Sequence, residues 1–203
     1  PMKTPQVHAT YPKALQCKGG REVLLRPMQA GDLDAVRAFF AALPRADRLF
    51  LRYDVTDATA FESLLPQLDN PRQLRLLALS GDRVVGHALL EPERHNWSPH
   101  VAEARVVVAQ DLKRQSLGTL LLRELIDQAS VRNYDKLSTH MMDTQVVARK
   151  MCERAGFTVE AELKQHVKDL DGDKHNLVIM CCNLDEAWHR MEMLLEDFAP
   201  WAG

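Results

Sequence analysis

Apolar residues in this chain fall into short runs and helical stripes. Residues 15–26 read as two short strands around Gly19-Gly20, and Pro27 ends the second. Leu33, Val36, Phe39 and Phe40 share one helical face, which predicts a helix from an Asp32 cap to about Leu43, stopped by Pro44. A second helix is expected after an Asp57 cap, with Phe61, Leu64, Leu65 and Leu68 inward. Residues 74–79 and 84–90 flank Ser80-Gly81-Asp82, a tight hairpin signal, and 92–99 read as a polar loop. The strand at 102–109 alternates in its first half and is continuously apolar in its second. It is therefore expected to be wet at its start and buried at its end. Leu117, Leu121, Leu125 and Ala129 lie four residues apart, with Leu120, Leu122 and Ile126 widening the stripe, which marks 114–132 as the clearest helix. Residues 136–141 read as a strand, and 145–155 as a short helix closed by Gly156. Residues 157–169 and 174–184 flank Leu170-Asp171-Gly172-Asp173, a strong hairpin signal. A last helical face carries Ala187, Trp188, Met191, Leu194, Leu195 and Phe198.

This order predicts an α+β fold on a mixed sheet, not a doubly wound nucleotide fold. There is no internal repeat, low-complexity tract or Ser/Gly linker. One domain over 15–184 is expected, with an N-terminal arm over 1–14. The amphipathic helix over 185–203 would pack on the domain or on a partner. The 203 residues, 46% hydrophobic, suffice for one sizeable core.

Lys and Arg total 26 against 28 Asp and Glu, a net charge of −2. That balance argues against nucleic acid as the main partner. No apolar run approaches the ~20 residues of a membrane span, and the first residues lack a signal-peptide core. The four cysteines, at 17, 152, 181 and 182, form no CxxC. A reducing cytoplasm is the simplest expectation. The histidines lack metal-ligand spacing, and no metal is expected. The Asp169/Asp171/Asp173 group lacks the distal Glu of a calcium loop and reads as a hairpin.

The segment richest in chemistry runs from Val106 through Lys113-Arg114-Gln115-Ser116-Leu117-Gly118 to Thr119. A strand passes through a basic turn into a helix whose first turn is small. The first N–H groups of a helix lack internal partners and the macrodipole is positive there, so an anion can dock. The same spacing also suits an ordinary strand–turn–helix, and it is neither GxxxxGK[ST] nor GxGxxG.

These residues resemble motif A of the GNAT superfamily of acyl-CoA N-acyltransferases, [QR]xxGx[GA]. Lys113 replaces the first Gln/Arg and Ser116 the first Gly. Residues 148–157, ending in Gly156-Phe157, resemble the helix and Gly-Phe junction after strand five of that superfamily. The element order matches from about Arg21 to Leu184. Residues 21–27, 52–57, 100–103 and 166–172 together resemble the bacterial protein-lysine-acetyltransferase type.

The resemblance implies a mostly antiparallel sheet of six to seven strands, flanked by helices on both faces. It implies acetyl-CoA as co-substrate, held in an opening between strands four and five. The backbone of Val106, Val107 and Val108 would pair with its pantetheine arm. Lys113, Arg114 and the amides of Gln115, Ser116, Leu117, Gly118 and Thr119 would hold its pyrophosphate. Asp143 and Arg149 would bind the cofactor too, although Asp143 also suits a helix cap. Glu103 matches the general base that frees the amine for attack. Its bland alternative is a solvent-facing Glu, and its small neighbours Ala102 and Ala104 are expected to leave access. Cys152 replaces the Tyr that many members use as acid. His140 and Asp143 are the other polar candidates at the cleft, and His100 a further one.

The expected reaction moves an acetyl group to a primary amine, a protein lysine, by direct attack in a ternary complex. A small-molecule amine is the alternative acceptor, and a non-catalytic acyl-CoA sensor the alternative role. A monomer or a homodimer is expected.

Overall fold

The computed structural model describes residues 11–51, 68–93 and 96–184. The expected Asp57-capped helix, the 52–57 stretch, most of the N-terminal arm and the C-terminal helix lie outside the described residues.

Eight strands form one sheet in the order β1-β2-β3-β4-β5-β6-β8-β7, one or two more than expected. The extra strand comes from the Gly19-Gly20 hairpin, whose arms β1 (Lys13–Gln16) and β2 (Glu22–Pro27) both join the sheet. β3 (Leu74–Ser80) and β4 (Arg83–Pro92) are the central hairpin. β5 is Val101–Val108, β6 Lys136–Met142, β7 Thr158–Lys168 and β8 Lys174–Asn183. Only β5 and β6 run parallel; every other neighbouring pair is antiparallel.

Helices cover both faces, and β4 shows why. Side chains alternate across a strand. At Gly86, a Cβ would stand 3.0 Å from Leu121 Cδ1 and 3.5 Å from Leu117 Cδ2 of α3 (Leu117–Val131). The next residue, His87, faces the other way and meets Phe40 of α1 (Leu33–Ala41), with ring centroids 5.4 Å apart. Val36, Phe39 and Phe40 are the buried face of α1, and Pro44 ends it as expected. A four-residue α2 (Arg45–Arg48) follows, with no counterpart in the sequence reading. The short helix over Val146–Arg154 is α4. Gly156 closes it at φ +92, letting Phe157 N–H reach Cys152 O at 3.0 Å.

Two local expectations are overturned. Asp32 places no side-chain cap on α1. Its carboxylate forms two 2.7 Å bonds with Arg26 and takes the Gln29 N–H. The charge-assisted pair outcompetes the cap. α3 begins at Leu117 rather than Arg114, because Arg114 and Ser116 hold positive φ.

α3 buries Leu117, Leu121 and Leu125 completely. It also buries Glu124, which takes hydrogen bonds from Tyr11 Oη (2.6 Å) and Lys13 Nζ (2.7 Å). This buried carboxylate ties the chain before β1 to α3.

His87 is buried and its Nε2 has no hydrogen-bond partner. Burial, then the charges of Arg75 and Arg105, push its pKa down to about 3. An unfolded imidazole titrates near ~6.5, so the unfolded chain holds more protons between about 6.5 and 3. Stability therefore falls as pH drops through that window. Urea unfolding between about pH 7 and 5 is expected to show this decline, and His87→Leu to flatten it. An unchanged slope in the variant would contradict the assignment.

Candidate active site

β5 keeps β4 along its whole length, from Pro92↔Ala102 to Gly86↔Val108. Its parallel ladder to β6 ends after three pairs, at Glu103↔Ser138. Beyond Glu103 the two strands part, and one edge of β5 faces the opening. This reverses the expected wetting of the strand. Ala102, Glu103 and Ala104 are buried, whereas Val106, Val107 and Val108 are half-buried. Three consecutive valines follow the parting, and among the described residues no strand pairs with β5 on that edge.

At the far end of the opening lies the turn into α3. Its 3-10 segment, Gln110–Leu112, is anchored by buried Leu112. Asp111 binds Arg83 at 2.5 Å and Arg21 at 3.3 Å. The Arg83 hydrogen bonds hold the Asp111 carboxyl below the usual range. Arg114 (φ +61) and Ser116 (φ +69) then take left-handed backbone, which costs roughly 1–2 kcal/mol at each non-glycine. Ser116 thus keeps the conformation that glycine adopts freely in the resembled motif. The helix ladder starts with Leu120 N–H donating to Ser116 O at 3.0 Å. The N–H groups of Leu117, Gly118 and Thr119 precede it and have no partner within the helix. Left-handed turns and free helix amides together form an anion cradle.

The side chains around the cradle have separate tasks. Leu117 is fully buried, so only its backbone can serve a ligand. A Cβ on Gly118 would lie 3.1 Å from Met151 Sδ and 3.7 Å from Val108 Cγ2, so this glycine joins the ends of α3, α4 and β5. Gln115 O accepts from Lys18 N–H at 3.0 Å. Arg114 and Thr119 are exposed. Lys113 is bound to both carboxylate oxygens of Asp47 on α2, at 2.5 and 2.6 Å. Arg149 pairs along α4 with Glu153 at 3.1 Å. Asp143 does not cap α4, whose N-cap is Gln145. It stands 3.9 Å from His175 on β8.

The crotch where β5 leaves β6 holds Glu103. The carboxylate is buried, not solvent-facing. Arg105 Nε lies 3.7 Å away and His140 Nδ1 3.9 Å away. Arg105 also binds Glu91, whose register partner is Glu103. Ala102 and Ala104 lie on the opposite face, so their small size opens nothing beside Glu103. The sequence reading passed over Arg105, although Glu103 and Arg105 two apart on a strand must share a face. It also passed over Glu91, legible only through the β4–β5 register.

The other expected polar groups stand elsewhere. Cys152 is buried, and burial pushes its thiol up to about 11. Asp169 receives the N–H groups of Asp171 and Asp173 and contacts His175 Nε2 at 3.0 Å, which makes it the clasp of the β7–β8 hairpin. His100 contributes its backbone carbonyl to Asp135 N–H, and His166 is exposed on β7.

Residues 37–157 match the model of the acetyltransferase (GNAT) family. The chain belongs to that family. A GNAT enzyme is an acyl-CoA-dependent N-acetyltransferase with acetyl-CoA as co-substrate. No curated protein matches this chain. Among solved structures, a ribosomal-protein-alanine N-acetyltransferase from Brucella melitensis is similar at TM-score 0.70 and 23% identity, over 79% of this chain and 99% of that one. An acetyltransferase from Salmonella typhimurium, solved with acetyl-CoA, is similar at TM-score 0.63 and 22% identity, over 80% of this chain and 94% of that one. The GNAT domain of S. lividans PAT is similar at TM-score 0.70 and 14% identity, over 84% of this chain and 96% of that one. These likenesses show the GNAT fold. No helix among the described residues is long and apolar enough to cross a membrane.

Gly118→Val is expected to weaken acetyl-CoA binding about tenfold or more in calorimetry, because branched carbons would press on Met151 and Val108. Wild-type affinity in a folded variant would contradict the importance of that close approach.

Proposed function

We propose that this GNAT enzyme acetylates a primary amine of protein lysine, by direct attack in a ternary complex. The observation that carries the reading is the alignment of three features along one opening. These are the unpaired edge of β5 beyond Glu103, the amide cradle at Ser116–Thr119, and the buried carboxylate at the crotch.

In this reading the backbone of Val106, Val107 and Val108 pairs with the extended arm of acetyl-CoA. Amides from Ser116 to Thr119 hold its pyrophosphate, whereas the Gln115 N–H, expected to join them, is spent on Leu112 O at 3.3 Å. Arg114 supplies charge, and Lys113 does so by exchanging Asp47 for phosphate. Asp143 and Arg149 flank the cofactor side of the cleft. Acetyl-CoA supplies an acetyl thioester. A lysine ammonium has a pKa near ~10.4, so almost none is nucleophilic at neutral pH. Glu103 draws the proton off it, directly or through water. All four cysteines are buried free thiols, and a protonated Cys152 supports attack without an acyl-enzyme. Buried free thiols also fit a reducing cytoplasm.

Lysine as acceptor rests on the segments at 21–27, 52–57, 100–103 and 166–172 whose sequence together resembles the bacterial protein-lysine-acetyltransferase type. Mass spectrometry of cell proteins incubated with acetyl-CoA, with and without the enzyme, tests it. New acetyl-lysine sites support the reading. Activity on free amines alone would make the acceptor a small molecule, and cofactor binding without any transfer would make the chain a sensor.

Glu103→Gln is expected to lower kcat about a hundredfold or more near neutral pH while acetyl-CoA affinity is unchanged. Wild-type turnover in that variant would remove Glu103 from the mechanism.

A further inference from the structure

Glu103 is poorly placed to meet an incoming amine by itself. Its side chain is 10% exposed, and Arg105 bridges it to Glu91. His140 stands beside it in a more open position, 24% exposed. On β6, Ser138 is the last residue paired with β5, at Glu103. His140 is two residues further on, so it shares the face of Ser138 and Glu103. It is therefore the first β6 side chain on that face past the point where the strands part, opposite Arg105 of β5. Its Nδ1 lies 3.9 Å from Glu103 Oε1, and a small rotation of either group closes that gap to a hydrogen bond.

Resting on the acetyl-transfer reading, we propose that His140 is the catalytic residue that takes the proton from the acceptor amine, and that Glu103 is its positioning partner. The pairing follows a general pattern, in which a base is oriented by a third group and the carboxylate stabilises the imidazolium that forms.

The protons balance. His140 takes one proton from the ammonium, and the freed lone pair forms the C–N bond at the thioester carbonyl carbon. As the C–S bond breaks, its electron pair leaves on sulfur. The imidazolium returns its proton to that sulfur, giving the free thiol. The second proton on nitrogen passes through His140 to water.

The charged and titratable groups around His140 are few among the described residues. β5 contributes Glu103 and Arg105, and β4 contributes Glu91 through Arg105. On β8, Ile179 is its register partner, and Cys181, partner of Ser138, flanks it. Burial pushes the Cys181 thiol up to about 12, so it stays neutral.

Two measurements test the pair. The first is an NMR titration of the His140 ring in the full chain, with and without Glu103→Gln. Loss of the carboxylate is expected to lower the His140 pKa by about one unit. The second is the pH dependence of kcat/KM. His140→Gln is expected to lower kcat about a hundredfold, to abolish the acidic limb of the wild-type profile, and to leave calorimetric acetyl-CoA affinity unchanged. Lys164→Gln, on exposed β7, should match the wild type. An intact acidic limb in His140→Gln, or a His140 titration indifferent to Glu103→Gln, would overturn the proposal. Loss of activity in Glu103→Gln together with a wild-type His140→Gln would leave the acetyl-transfer reading standing and remove only the histidine. The NMR result stands apart from activity, so failure of the transfer reading would show as failed turnover with the titration still read.

Discussion

Beyond Glu103, β5 keeps its ladder to β4 but has no strand partner on its other edge among the described residues. An unpaired strand edge presents a row of N–H and C=O groups and invites an extended partner. In most folds such an edge is a hazard at the rim of a sheet. Here it lies in the middle, between β5 and β6, with α3 over one face. The proposed site is organised around that parting. Val106, Val107 and Val108 form its wall, Ser116–Thr119 its far end, and Glu103 with His140 its apex.

The rest of the chain holds that edge in place. Gly86 brings α3 close to β4, and Glu124, bound by Tyr11 and Lys13, ties α3 to the strands before it. Asp111, gripped by Arg83 and Arg21, fixes the turn from β5 to α3. Glu124 is the buried member of its pair with the exposed Lys13, so removing Lys13 leaves a buried carboxylate short of its countercharge. The strained left-handed backbone at Arg114 and Ser116 is the local cost of aiming amides into the opening.

Hairpins and helices were legible because their signals are local. Gly19-Gly20 and the Asp-Gly of the β7–β8 turn needed no tertiary knowledge, nor did the leucine stripe of α3. The wetting of β5 was misread because three valines look alike whether a strand, a helix or a cosubstrate covers them. Pairing with β6 is a non-local fact. Glu124 escaped notice because its partners lie 111 and 113 residues away. The start of α3 was misplaced because nothing in Arg114 or Ser116 announces positive φ. At the site, Glu103 was found through resemblance alone. Arg105 could have been found from strand periodicity, but His140 gained its meaning only when β5 and β6 were placed side by side.

Amide hydrogen exchange with and without acetyl-CoA tests the central role of the parted edge most directly. Exchange is expected to slow at 105–108 on β5 and at 116–119 at the start of α3, while the β1–β2 hairpin is unchanged. Binding without protection at those amides, or protection confined to other strands, would contradict it.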